Sequence, residues 1–175
     1  MAPHLQSVFL NGTVGSGKTT TGEALHRILA EDGISNAIID LDQLRRSWPA
    51  PPTDRFNHEL ELRNLQAVAT NYSEAGVRRF ILAGVIESPT EVERYRTALG
   101  GGDLTVVRLD PPLDTVQKRL RNRHEPDSPE LSWHLHRSVE LNQILSEARL
   151  DAHVMAIGNE RPKDTALAIR AIIGW

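Results

Sequence analysis

Between a short apolar run, Leu5–Leu10, and a segment with helical spacing, Lys18–Glu31, the chain carries Gly12-Thr13-Val14-Gly15-Ser16-Gly17-Lys18-Thr19. These eight residues fit G-x-x-x-x-G-K-[ST] in full, and a strand before and a helix after give that pattern its structural meaning. The glycines let the chain turn so tightly that successive backbone N–H groups point inward at an anion. A helix opening at Lys18 aims its positive dipole end at the same point. From this chain's own residue frequencies, chance supplies on the order of 0.002 such matches over all its windows. The turn therefore reads as a cradle for nucleotide phosphates, running from Gly12 through Thr20. In that reading ATP is the ligand, Lys18 reaches its β- and γ-phosphates, and Thr19 offers a hydroxyl to Mg²⁺.

The rest of the chain alternates between two periods. Strands are expected at Asn36–Ile39, Arg79–Ile86, Leu104–Leu109 and His153–Ile157. Helices are expected at Asp54–Ala75, Glu91–Leu99, Leu113–Asn122, Glu130–Leu150 and Lys163–Ile173, several of them stopped by glycine. Trp48-Pro49-Ala50-Pro51-Pro52 reads as a rigid loop, and the polar stretch 123–129 as a mobile one. Five apolar strands alternating with helices indicate an α/β fold whose parallel sheet is covered on both faces. With 175 residues and no internal repeat, one domain spanning 1–175 is expected.

Composition removes other classes. Apolar residues make up 39% and charged residues 25% of the chain, close to a globular average. No apolar run approaches the roughly 18 residues of a membrane span. Met1-Ala2-Pro3-His4 has neither the basic region nor the cleavage site of a signal peptide. The absence of cysteine excludes disulfides and thiolate chemistry, and makes a reducing cytoplasm the expected compartment. A net charge of -3 disfavours non-specific nucleic-acid binding.

Three further features bear on what receives the phosphate. Asp40-Leu41-Asp42-Gln43-Leu44-Arg45 follows the second strand, at the sheet edge where open α/β folds bind ligands. Asp42 is placed there to accept a hydroxyl proton or help hold Mg²⁺, while Asp40 binds substrate or caps the next helix. Arg45 is positioned to bind an acceptor anion. Arg119 and Arg123 share one helical face and, as lid cations over about 119–130, would offset charge on the transferring group. At the end of the third strand Ala83 stands where a magnesium-binding Asp often does, and Glu87 either touches substrate or caps a helix. Among weaker features, His58 and Glu61 share what reads as a solvated face. His134 and His136 point apart and do not chelate together. Trp48 reads as a core-edge residue or a stacking platform, and Asn159-Glu160-Arg161-Pro162 as a capping loop or an adenine flank.

Together, the phosphate loop after strand one, Asp-x-Asp-x-x-Arg after strand two and Arg-x-x-x-Arg near the fourth crossover resemble the small P-loop kinases. These include the adenylylsulfate, gluconate, shikimate and nucleoside monophosphate kinases and chloramphenicol phosphotransferase. Leu10–Thr20 and Asp40–Arg45 look most like adenylylsulfate kinase, whose second motif has Gly where this chain has Leu41. The resemblance implies strand order 2-3-1-4-5, a short lid bearing Arg119 and Arg123, and phosphate transfer from ATP-Mg²⁺ to a small-molecule hydroxyl. Glu87 adds negative charge where that family binds a sulfated nucleotide, which favours an uncharged, hydroxyl-bearing metabolite, nucleoside-like compound or antibiotic. A nucleoside monophosphate kinase, with Arg45 and Arg46 on the acceptor phosphate, is the nearest alternative. A non-catalytic ATP-binding module is the alternative from another class, and a polynucleotide 5′-kinase is disfavoured by the acidic charge. The chain is expected to be a monomer or homodimer.

Overall fold

A computed structural model describes residues 4–175; the reading of Met1–Pro3 lies outside them. The elements run β1 (Gln6–Asn11), α1 (Lys18–Glu31), β2 (Asn36–Asp40), α2 (Leu41–Leu44), α3 (His58–Glu74) and β3 (Arg79–Ala83). They continue α4 (Pro89–Ala98), β4 (Asp103–Asp110), α5 (Leu113–Arg123), α6 (Pro129–Ala148), β5 (His153–Ala156) and α7 (Pro162–Ile173). All five strands are parallel, in the order β2-β3-β1-β4-β5 that the resemblance implies.

The strand period of two explains the layers. In β1, flanked by β3 and β4, Phe9 points to one face while Val8 and Leu10 point to the other. Phe9 packs with Leu62, Leu65 and Ala69 of α3 and Tyr95 of α4. Val8 and Leu10 pack with Ala24, Leu25, Ile28 and Leu29 of α1 and with Ala166 and Ile169 of α7. All three β1 side chains are fully buried, as a strand covered on both faces requires. No described helix is long and apolar enough to cross a membrane.

Two expected boundaries move for identifiable reasons. The third strand ends at Ala83 and not Ile86, because the Ile86 N–H is taken by the Asn11 side chain at 3.1 Å and leaves the ladder. The long helix starts at His58 and not Asp54. Asp54 lies outside it as a cap, its carboxylate accepting the N–H groups of His58 and Glu59 at 2.8 and 2.9 Å. Trp48 is 93% exposed, so it is not at the core edge.

The expectation of a solvated face at His58 and Glu61 is also corrected. Glu61 is fully buried between α3 and α4. Its carboxylate accepts hydrogen bonds from the Tyr95 hydroxyl and pairs with the Arg45 guanidinium, while His58 Nε2 lies 3.1 Å from Glu91. Burial pushes the Glu61 carboxyl up against the opposing pull of Arg45 and Tyr95. Burial, with Glu61 adding to it, likewise pushes the Tyr95 phenol well above its ordinary value. A carboxylate in a core is tolerable only when paired and hydrogen-bonded. Glu61→Ala should therefore lower the unfolding free energy in urea by about 3 kcal/mol, the low end for a broken buried pair because Arg45 keeps some access to water. Tyr95→Phe, which removes one donor, should cost about 1 kcal/mol.

Candidate active site

The phosphate loop is anchored by Asn11, the last residue of β1, whose side chain is buried. Its Oδ1 accepts the Gly12 and Ile86 N–H groups at 3.0 and 3.1 Å. Its Nδ2 donates to the Ile86 carbonyl at 3.2 Å and to Asp151 at 3.0 Å. Asp151 is itself held by Arg108 at 3.3 Å. Gly12 then takes φ 146°, and a Cβ there would stand 2.8 Å from the Leu109 carbonyl oxygen, so only glycine fits. Thr13 turns its hydroxyl away from the loop mouth, onto the Ser138 carbonyl of α6 at 2.8 Å. Gly17 is the N-cap of α1, with Lys18 as its first helical residue.

Inside the loop the Lys18 ammonium donates to the carbonyls of Gly12 and Thr13, each at 2.8 Å. Desolvation lowers its pKa from 10.5 to about 8, with Asp42 and Asp40 opposing the shift and Arg123 adding to it. Thr19 donates its hydroxyl to Asp40 at 2.9 Å. The other Asp40 oxygen caps α2 by accepting the Asp42 N–H at 3.0 Å. The carboxylate beside Thr19 is thus Asp40, which caps α2 as the sequence allows; Asp42 is largely exposed and faces the neighbouring cavity.

The loop separates two cavities. One, of about 210 Å³, is lined by Gly15, Ser16, Gly17, Thr20, Thr21, Arg119, Arg123, Glu160 and Pro162, among others. Arg119 donates to the Gly15 and Ser16 carbonyls at 3.3 and 3.4 Å, which aims its guanidinium along the loop. Glu160, at the entry to α7, brings the Asn159–Pro162 segment to this side. The second cavity, of about 390 Å³, has Lys18, Thr19, Asp42, Arg45, Glu87 and Arg123 on its polar walls. Phe56, Val85, Trp133 and Leu141 supply its apolar walls, with His134 and Arg137 beside them. Arg123 borders both cavities. A volume above about 300 Å³ with mixed walls suits a small organic molecule.

Two of the larger cavity's four cations, Arg45 and Arg137, are already paired with carboxylates. Arg45 is held by Glu61 beneath it and lies 3.8 Å from Asp42. Arg137 is paired with Glu87, bonds Glu140 at 2.8 Å, and rests 5.6 Å from the centre of the Phe56 ring. Glu87 thus faces the cavity and does not cap α4, whose N-cap is Ser88. The sequence reading misses the α6 wall altogether. Its signal was present: Trp133, Arg137 and Leu141 recur at i, i+4 and i+8 on one helix face.

With this geometry in view, comparisons with known proteins are consistent from end to end. A family described as an AAA domain matches residues 8–140. By sequence, the chain is 31% identical over 115 residues to a probable adenylyl-sulfate kinase of Halalkalibacterium halodurans, covering 64% of this chain and 55% of that one. It spans about half the length of the first relatives it matches, and less of the chloroplastic adenylyl-sulfate kinase 2 of Arabidopsis thaliana, at 38%. In structure it is similar to the Deinococcus radiodurans tunicamycin resistance protein, with TM-score 0.69 at 21% identity over 97% of this chain and 96% of that one. It is also similar to the Mycobacterium tuberculosis APS kinase solved with AMPPNP and APS, with TM-score 0.61 at 19% identity over 99% of both. The sheet order, the phosphate loop and the family match over residues 8–140 lead to one conclusion: this chain belongs to the AAA domain family and has the fold of the P-loop kinases.

Proposed function

We propose that this protein transfers the γ-phosphate of ATP to a hydroxyl of an uncharged small molecule that carries a flat ring. The observation that supports this most is that Gly15, Gly17, Thr20 and Arg123 border both cavities, with Lys18, Thr19 and Asp42 on the wall of the larger one. A binding module needs one cavity; a phosphotransferase needs two that meet at the γ-phosphate. ATP lies with its phosphates along Gly12–Thr20 and its base toward Glu160 and Pro162. Lys18 leaves the Gly12 and Thr13 carbonyls for the β- and γ-phosphate oxygens. Arg119 and Arg123 face the same oxygens from the short lid of about 119–130, where they offset charge as it spreads over the transferring group.

Asp42 orients the acceptor hydroxyl and takes its proton as the new P–O bond forms. The Thr19 hydroxyl and the Asp40 carboxylate are hard oxygen donors 2.9 Å apart, a set that fits Mg²⁺. Thr19 and Asp40 would hold Mg²⁺, which would supply positive charge to offset that of the phosphates. The same oxygens make Asp40, and not the absent third-strand acid, the carboxylate for that ion.

The acceptor's charge follows from the pairing of the cavity's arginines. Adenylylsulfate or a nucleoside monophosphate would need a further cation, but Arg123 faces the transferring phosphate and Arg45 and Arg137 are committed to Glu61, Glu87 and Glu140. Stripping a carboxylate from a guanidinium to admit an anion costs the pairing it replaces. Trp133, half-exposed on the cavity wall, offers an aromatic surface instead, the kind on which a base or an aromatic antibiotic stacks. In this reading the reaction runs in the cytoplasm, and the enzyme is a monomer or homodimer.

Three outcomes test this reading. In ADP release coupled to a panel of acceptors, neutral nucleosides and hydroxylated aromatic antibiotics should outpace adenylylsulfate and monophosphates. A preference for either anion contradicts the charge argument, and stimulation by nothing on the panel, with ATP bound, favours the non-catalytic module. Asp42→Asn should lower kcat by about 10²–10⁴-fold while ATP affinity, measured by calorimetry, holds. Full turnover in that variant removes Asp42 from proton transfer.

The third outcome concerns pH. Free Lys18 loses its proton near pH 8, and phosphate raises that value by favouring the ammonium. ATP binding should therefore take up a proton above pH 8 and none near pH 6.5. Affinity should fall by up to about tenfold per pH unit as pH rises past 8. Calorimetry at pH 9 in two buffers of different ionisation enthalpy reads the uptake directly; equal heats would rule it out.

A further inference from the structure

Next to the larger cavity, whose wall His134 shares, the structure gathers two imidazoles and a carboxylate where α5 hands over to α6. Each residue offers a ligand atom, and these atoms lie within 4.8 Å of one another. His124 is the C-cap of α5, Glu130 lies in the first turn of α6, and His134 follows one turn later. Glu130 Oε1 stands 3.7 Å from His124 Nδ1 and 3.8 Å from His134 Nε2. The two rings are stacked, 4.5 Å between centres and 26° between planes. Both histidine side chains are mostly buried, at 11% and 23% exposure, whereas Glu130 is 71% exposed and free to swing.

We propose that His124, Glu130 and His134 form a zinc-binding site that fixes the connection between α5 and α6. A four-coordinate ion with ligands at 2.0–2.2 Å holds them about 3.4 Å apart, so a contraction of a few tenths of an ångström seats both histidine–glutamate pairs. The imidazoles turn about their Cβ–Cγ bonds from the stack until their lone pairs converge. Two imidazoles and one carboxylate suit Zn²⁺ and not the oxygen-seeking Mg²⁺ or Ca²⁺, and leave a fourth position for water. The helix does not need Glu130 as its cap, since Ser128 already accepts the Leu131 N–H at 3.1 Å. Nor does His134 have another outlet: its Nδ1 is buried with no hydrogen-bond partner among the described residues, which leaves Nε2 for Glu130.

The consequence is mechanical. The site joins both ends of the five-residue polar connection 124–128 between the two helices. Arg123 and Trp133, the chain neighbours of His124 and His134, line the larger cavity. Zinc would hold these two walls, and His134 on the cavity itself, at one separation, a structural role distinct from Mg²⁺ at Thr19 and Asp40.

Titration of the full chain with ZnCl₂, followed by calorimetry, should show one saturable site per chain. His124→Ala and Glu130→Gln should each weaken it by at least about tenfold, with His136→Ala, an exposed neighbour on the same helix, binding like the parent. Co²⁺ in place of Zn²⁺ should give the strong visible absorption of a four-coordinate ion, lost in both variants. The proposal is overturned if no saturable binding occurs, or if His124→Ala and Glu130→Gln bind as the parent does. Should a variant fail to fold, imidazole NMR of the parent chain decides: Zn²⁺ must shift the ring signals of His124 and His134, and shifts confined to other histidines would refute the site.

Discussion

Every polar atom of one buried side chain, Asn11, is committed at the point where the sheet meets the phosphate loop. Its amide binds the first glycine of the loop, both polar groups of Ile86 after β3, and Asp151 before β5. Two segments distant in sequence, at Ile86 and Asp151, are thus tied with the start of the loop to the carboxyl end of the central strand. An amide with all its hydrogen bonds made is stable in a core, and one with a partner missing is costly, so the junction has a single low-energy arrangement. The loop's inward N–H groups, the entry of α1 and the exit of β3 toward Glu87 all depend on that arrangement.

A second constraint lies beneath the acceptor wall. Glu61 holds Arg45 from below, Tyr95 completes the carboxylate's bonding, and His58 extends the network to Glu91. The network packs α3 against α4 and fixes the Arg45 guanidinium at the cavity wall. On the opposite wall, Arg137 does likewise, joining α6 to Glu87 while its guanidinium lies over Phe56.

What could be read from the residues divides along sequence distance. The loop, its flanking strand and helix, and the alternation that builds a doubly covered sheet are local patterns. Gly12–Thr19 was legible because each residue type answers a requirement of the turn itself. The larger cavity was only half legible. Asp42 and Glu87 sit at strand ends, where the fold rule puts ligands, but Phe56, Trp133 and Arg137 reach the same space from loops and a helix far along the chain. Periodicity shows that Trp133, Arg137 and Leu141 share a face, not that the face looks onto a cavity. Glu61 misled for a related reason: a charged residue in an amphipathic helix reads as solvated, and only a long-range partner such as Arg45 makes its burial affordable. That Asp40 and not Asp42 meets the Thr19 hydroxyl is a distinction of geometry and not of residue type, and two residues' difference in position decides it.

The account rests on nucleotide and acceptor occupying opposite sides of the phosphate loop. A crystal structure with a non-hydrolysable ATP analogue and Mg²⁺ tests that directly. The phosphates should lie on Gly12–Thr20 with Lys18 turned onto them, and the base against Glu160 and Pro162, leaving the cavity of Asp42, Phe56 and Trp133 open. A base stacked between Phe56 and Trp133, with the triphosphate crossing toward Asp42, would contradict it.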